Sequence, residues 1–206
     1  MAYIDGFTVY YGLREKGWKH LFWLDYCALA ERMTLGEQEI VGVKYFTSRV
    51  TKPPDSRKRQ ITYLEALVAR GGVEIIEGKY EVRPHRCPSY GHKWPRPKEK
   101  MTDVHIATSM VLDALDDKFD TALLIAADAD LVPAVRIVEE RFDKRVVIIS
   151  PRGRRSDELA ASGSAHLHIR RAILNQCQLP DVVEGTNWTY ERPSEWSRTA
   201  EPPTGL

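Results

Sequence analysis

Long apolar runs are missing from this sequence, and cysteine is scarce. The longest apolar runs in the 206 residues are far too short to cross a bilayer. The three cysteines, Cys27, Cys87 and Cys177, are widely spaced and odd in number, which does not fit a disulfide framework. The opening stretch MAYIDGFTVYYG carries an acid inside its apolar run and no positive segment, so it does not resemble a secretory signal. These absences predict a cytoplasmic protein without a membrane span.

Several catalytic motifs are also absent. The sequence contains no Gly-rich phosphate loop, Ser/His/Asp arrangement or dinucleotide fingerprint. The net charge of +1 hides two basic segments, 49–59 with five Lys/Arg against one Asp and 79–100 with seven against two Glu. Acidic residues cluster instead in 113–120. Basic segments around an acidic centre are typical of a nuclease, although two solvated loops would give the same pattern.

Strand-like and helix-like segments alternate along the chain. This alternation predicts βαβ units, a mainly parallel central sheet and a three-layer α/β/α domain. We expect the domain to span residues 1–175, with a proline-rich loop insertion at 81–101 and a proline-rich tail at 176–206. The predicted strands are AYIDG, VGVKYFTS, VEIIEGKYEV, FDTALLIAA, KRVVIISP and, at an edge, HLHI.

Four aspartates fall where such a sheet places its chemistry. Asp5 ends the first predicted strand, and Asp128 and Asp130 follow FDTALLIAA. Asp103 begins the helix before that strand. Sites in open α/β sheets form at the carboxyl ends of strands, so these acids converge if the two strands are neighbours. Grouped carboxylates need a cation, and oxygen ligands select Mg²⁺ or Mn²⁺. The alternative is local: Asp5 can begin a turn, and Asp103 and Asp130 can cap helices.

Four segments in this order resemble a known family. The segments IDGFTVYYG, EKMTDVHIATSMVLDAL, DTALLIAADADLVPAVRIV and RVVIISP resemble the NYN domains of the PIN-like nuclease superfamily, in particular the LabA-like group. The resemblance implies a PIN-like Rossmannoid fold. It also implies RNA hydrolysis at a carboxylate cluster that binds Mg²⁺ or Mn²⁺, made here of Asp5, Asp103, Asp128 and Asp130.

The sequence also departs from the family pattern. Thr8 stands where the family has Asn, and Ala127 and Ala129 replace a Gly and a Ser. The acids and the resemblance together predict a metal-dependent endoribonuclease. Thr8 favours the alternative, a non-catalytic RNA-binding or regulatory module that keeps the fold. A phosphatase or a nuclease acting on DNA would use the same carboxylates.

The expected partner is RNA, in single-stranded form. Because PIN-like domains often pair, the resemblance leaves a homodimer open. The residues expected to contact the substrate are Thr8, Lys100, Arg57, Lys58, Arg59 and Arg152.

The insertion at 81–101 allows three interpretations. His85, Cys87 and His92 are candidate ligands for Zn²⁺, although a structural zinc site normally has four ligands. In a zinc-free loop, Tyr90 and Trp94 can stack on unpaired bases. The same two aromatic residues can instead hold the loop against the domain.

Overall fold

Six strands pair in parallel to form the central sheet. The structure is a computed structural model that describes residues 1–34, 36–86, 90, 93–151 and 153–197, with only the backbone for 80–86 and 93–100. The order across the sheet is β3-β2-β1-β6-β7-β8, which puts the first strand at the centre. The strands are β1 (Ala2–Asp5), β2 (Val43–Thr47), β3 (Val73–Glu77), β4 (Lys79–Arg86), β5 (Lys93–Lys100), β6 (Thr121–Ile125), β7 (Arg145–Ser150) and β8 (Ala165–His168).

Helices cover both faces of this sheet. They are α1 (Gly6–Glu15), α2 (Tyr26–Met33), α3 (Pro54–Arg70), α4 (Thr102–Leu115), α5 (Val132–Phe142), α6 (Asp157–Ser162) and α7 (Arg171–Gln176). Alternate residues of β1 enter two separate apolar cores: Ile4 packs with the core of α1 to α3, and Tyr3 with that of α4 and α5. Because β1 is buried on both faces, it is apolar up to its last residue, Asp5. The predicted three-layer α/β fold with a mainly parallel sheet is confirmed. None of the helices in the described residues is long and apolar enough to cross a bilayer.

The segment predicted as a loop insertion is in fact a β-hairpin. β4 and β5 pair antiparallel from Lys79↔Lys100 to Arg86↔Lys93. The prolines in this segment led to the wrong prediction, because proline lacks the N–H that a central strand needs. In a two-stranded ribbon each strand has an outer edge without a partner, so proline is tolerated there. Gly78 separates this ribbon from β3, which the sequence had predicted to be one strand with β4.

The segment after α7 packs on the domain. β9 (Val182–Glu184) and β10 (Thr189–Glu191) form an antiparallel hairpin, and a 3-10 turn (Ser194–Trp196) follows. The Trp23 indole N–H donates a hydrogen bond to the carbonyl oxygen of Pro180 at 2.8 Å. Val183 and Trp196 are buried in the core of α1 to α3. Residues 177–197 therefore complete one side of that core.

Candidate active site at the carboxyl edge of the sheet

The sheet order brings the ends of two acid-bearing strands together. β1 pairs in parallel with β6, with Ile4 opposite Ile125. Asp5 is the last residue of β1, and Asp128 follows β6 after two alanines. The condition for the acids to converge, that the first strand and FDTALLIAA are neighbours, is therefore met. Asp5 and Asp128 both lie at the carboxyl edge of the sheet.

Asp5 is buried and held by the first turn of α1. Its Oδ1 accepts a hydrogen bond from the backbone N–H of Phe7 at 2.9 Å, which makes Asp5 the N-cap of the helix. Its Oδ2 accepts a hydrogen bond from the hydroxyl of Thr8. Both carboxylate oxygens are thus oriented by α1, and Thr8 contacts the acid directly. Asp5 has a structural role in addition to any catalytic one.

Asp103 reaches the same edge from a helix. It lies in the first turn of α4 and is half-buried. α4 leads into β6 and packs against β1, β2 and the 3-10 turn Ala129–Leu131. Because a helix that connects parallel strands runs back across the sheet, its first turn lies at their carboxyl ends. Asp103 is therefore at the same edge as the other acids.

Asp128 and Asp130 are exposed and belong to one turn. Asp128 is the N-cap of the 3-10 turn Ala129–Leu131, and its Oδ1 accepts a hydrogen bond from the backbone N–H of Asp130 at 3.0 Å. The local explanation expected Asp130 to be the cap; the cap is instead Asp128, and Asp130 lies within the turn. Exposure of both carboxylates also leaves them accessible from solvent.

The donor type of these four side chains fits a hard divalent cation, but the spacing of the side chains does not form a metal site. Four carboxylates supply only oxygen donors, the donor set that Mg²⁺ and Mn²⁺ prefer. Within the described residues, however, no three or more His, Cys, Asp or Glu side chains group closely enough to hold a metal ion. The metal site therefore stays a prediction, supported by donor type and by the shared edge.

Three of the predicted substrate-binding residues lie on α3, and the side chains of two others lie outside the described residues. Arg59 is half-buried and donates hydrogen bonds to Ser56 Oγ at 3.2 Å and to Glu195 Oε1 at 2.8 Å. Arg57 and Lys58 are exposed near the start of α3. Lys100 ends β5, but its side chain lies outside the described residues, as does Arg152. Of the proposed zinc ligands, Cys87 and His92 and the side chain of His85 also lie outside the described residues.

A second basic group lies at the carboxyl ends of β7 and β8. Arg154 pairs with Glu15 and lies over the Tyr11 ring at 5.3 Å. The guanidinium of Arg171 lies over the Trp18 ring at 5.1 Å. The sequence indicated Arg152 after β7 as a substrate contact but gave no indication of Arg170 and Arg171. These two follow an edge strand without any motif, and the topology alone places them beside Arg154 in an open depression.

Comparisons with known proteins agree with the fold. A family model described as NYN domain matches residues 1–170. The chain is 29% identical to 6-hydroxy-3-succinoylpyridine 3-monooxygenase of Pseudomonas putida, over 94% of this chain and 74% of that protein. It also resembles the crystal structure of a protein of unknown function from Vibrio parahaemolyticus, with a TM-score of 0.54 and 21% identity. That likeness covers 82% of this chain and 92% of the other.

Proposed function

Because the chain belongs to the NYN domain family of the PIN-like nuclease superfamily, we propose that it is an endoribonuclease dependent on Mg²⁺ or Mn²⁺. Its substrate is single-stranded RNA, cleaved at the carboxyl edge of the sheet. The observation that supports this proposal is the placement of Asp5 and Asp128 at the ends of adjacent parallel strands, with Asp103 at the start of the helix packed across them.

Asp5, Asp103, Asp128 and Asp130 would hold the metal. A bound divalent cation supplies positive charge that neutralises these carboxylates and the phosphate, and it lowers the pKa of water. Thr8 would keep Asp5 in one orientation, since its hydroxyl donates to Oδ2. Arg57, Lys58, Arg59, Lys100 and Arg152 would attract the phosphate backbone and hold it along the edge. We also propose that the protein is cytoplasmic.

The test is cleavage of single-stranded RNA in Mn²⁺ by the native chain and by Asp128→Asn. We expect the substitution to reduce the cleavage rate by at least about 100-fold, because it removes a charged ligand. It should leave the fold intact, since an Asn side chain can still cap the turn. Asp143→Asn is the matched control: Asp143 is exposed and lies at the end of α5, near the amino edge of the sheet. Unchanged cleavage by Asp128→Asn would overturn the assignment.

A second candidate is a non-catalytic RNA-binding module with the same fold. Two observations favour it: both oxygens of Asp5 accept hydrogen bonds from α1, and the described carboxylates are not grouped as metal ligands. RNA bound without cleavage over hours in Mn²⁺ would support this module. Cleavage of DNA at an equal rate would instead indicate a nuclease of broader substrate range.

A further inference from the structure

An aromatic pocket opens beside the carboxyl edge of the sheet. It lies between α1, α3 and the 3-10 turn Ser194–Trp196, and its volume is about 510 Å³. This volume falls within the range of about 300–1,000 Å³ that is typical of ligand pockets. Five of its aromatic side chains come from different parts of the fold: Tyr10, Phe22, Tyr45, Tyr63 and Trp196.

The aromatic pocket adjoins the proposed catalytic edge. Gly6 and Phe7, which line it, directly follow Asp5, and Thr47 lines it at the end of β2. A Cβ on Gly6 would lie 2.5 Å from the hydroxyl oxygen of Tyr45, so only glycine lets this ring lie over the start of α1. Because Gly6 directly follows Asp5, the Tyr45 ring lies beside the start of α1 at the proposed catalytic edge.

The walls of the pocket are aromatic rings already packed against one another. The Tyr10 and Phe22 rings lie 4.9 Å apart, and Trp196 meets Phe22 edge-on at 5.6 Å. Phe22 and Trp196 are largely buried, whereas Tyr10 is 39% exposed. A preformed surface of this kind suits a flat ring, because aromatic rings stack with little loss of conformational entropy.

The mouth of the pocket is positively charged. Arg14, Lys19 and Lys52 line it, and within the described part of the chain none of the three forms an ion pair. The carboxylate of Glu195 also lines the pocket, but it is paired with Arg59. A ligand that combines a flat ring with an anionic group fits both the walls and the mouth.

We propose that the aromatic pocket binds one unstacked nucleobase of the RNA, while the cations at its mouth hold the adjoining phosphate. This inference rests on the proposed function, because it places the base next to the scissile phosphodiester at Asp5. It extends that function by naming a subsite that selects unpaired nucleotides: a base inside a duplex is stacked and cannot enter the pocket.

The test measures binding of nucleoside 5′-monophosphates to the full chain in EDTA, by calorimetry, so that cleavage plays no part. Two variants alter the pocket independently: Tyr10→Ala removes an exposed wall, and Ser56→Phe fills the space at the start of α3. We expect each to raise the Kd at least about tenfold. Trp188→Ala is the control, since Trp188 is 74% exposed and does not line the pocket.

Each outcome decides the proposal. Loss of nucleotide binding in both pocket variants, with native affinity in the control, supports it. Equal binding of ribose 5-phosphate would overturn it, because the cations alone would then be responsible. Binding of a free aromatic acid such as benzoate without nucleotide binding would also overturn it. Nucleotide binding by a protein that never cleaves RNA would support the base-binding pocket and refute the proposed nuclease activity. RNA cleavage without nucleotide binding would support the nuclease activity and refute the base-binding pocket.

Discussion

The hydroxyl of Thr8 donates a hydrogen bond to Oδ2 of Asp5, and the two side chains are buried together at the start of α1. Thr8 stands where the resemblance implies an Asn, and its hydroxyl contacts the acid directly. The same carboxylate caps the helix through Phe7. Asp5 is therefore fixed by its own helix, and its orientation depends on a hydroxyl at position 8.

Replacing Thr8 by Val should slow the proposed cleavage, because the Asp5 carboxylate loses the hydrogen bond that orients its Oδ2. Val has nearly the same shape but lacks the hydroxyl, and loss of such a supporting hydrogen bond costs about 10- to 100-fold in metal affinity or activity. The measurement is the cleavage rate as a function of Mn²⁺ concentration. We expect the concentration for half-maximal rate to rise, and Thr8→Ser to restore it. A lower rate with no change in this concentration would show that Thr8 does not act through the metal.

The fold could be predicted because the central strands have a clear apolar pattern in the sequence. FDTALLIAA and KRVVIISP are nearly continuous apolar runs, as strands buried on both faces must be. The hairpin of β4 and β5 was missed because its sequence has little apolar periodicity. Backbone pairing between two strands leaves no periodicity, and prolines obscured it further.

The candidate site could be predicted only in part, for a related reason. Asp5 and Asp128 follow apolar strands, so each is marked by its place in the sequence. No motif in the sequence indicates the aromatic pocket, since Tyr10, Phe22 and Trp196 come from separate segments and meet only through packing. The proline-rich composition of the segment after residue 176 gave no indication that Trp196 enters the core.

Replacing Gly6 by Ala should destabilise the protein, although Ala normally stabilises a helix relative to Gly. The new Cβ would lie 2.6 Å from Cζ of Tyr45, and that ring is buried and stacked on Tyr26 at 4.6 Å. Overpacking of this kind costs about 1–3 kcal/mol in the free energy of unfolding. Urea denaturation measures it. In a Tyr45→Ala background the same substitution should cost little; an equal cost in both backgrounds would contradict the proposed clash.

Asp113 should make the stability of the protein sensitive to acid. It is buried and accepts hydrogen bonds from the Tyr3 hydroxyl at 2.9 Å, from Lys44 Nζ at 2.5 Å and from Lys118 Nζ at 3.0 Å. Burial alone would raise the pKa of Asp113, but these donors outweigh it and hold the pKa below its usual value. The stabilisation is therefore complete above the unfolded-state pKa of about 3.9 and is lost as the pH falls through the lower folded value.

Asp113→Asn tests this network. Removing the charge leaves Lys44, whose side chain is 15% exposed, without its buried partner, and we expect a loss of about 3 kcal/mol at neutral pH. The melting temperature of the native chain should fall more steeply below about pH 4 than that of the variant. Asp116→Asn, at an exposed neighbour of the same helix end, is the control. Parallel pH profiles for the native and variant chains would contradict this role of Asp113.

Trp196 should contribute strongly to stability because it joins the C-terminal segment to the core. Its ring contacts Trp23 at 6.3 Å and Tyr63 at 6.1 Å, in addition to Phe22. Truncation of a buried Trp to Ala costs about 3–5 kcal/mol, so Trp196→Ala should lower the urea midpoint markedly. Trp188→Ala, at an exposed position in the same segment, should change the free energy of unfolding by less than about 0.5 kcal/mol. If the two variants are equally stable, residues 177–197 do not unfold together with the sheet, and the pocket wall formed by Trp196 opens independently of the rest of the domain.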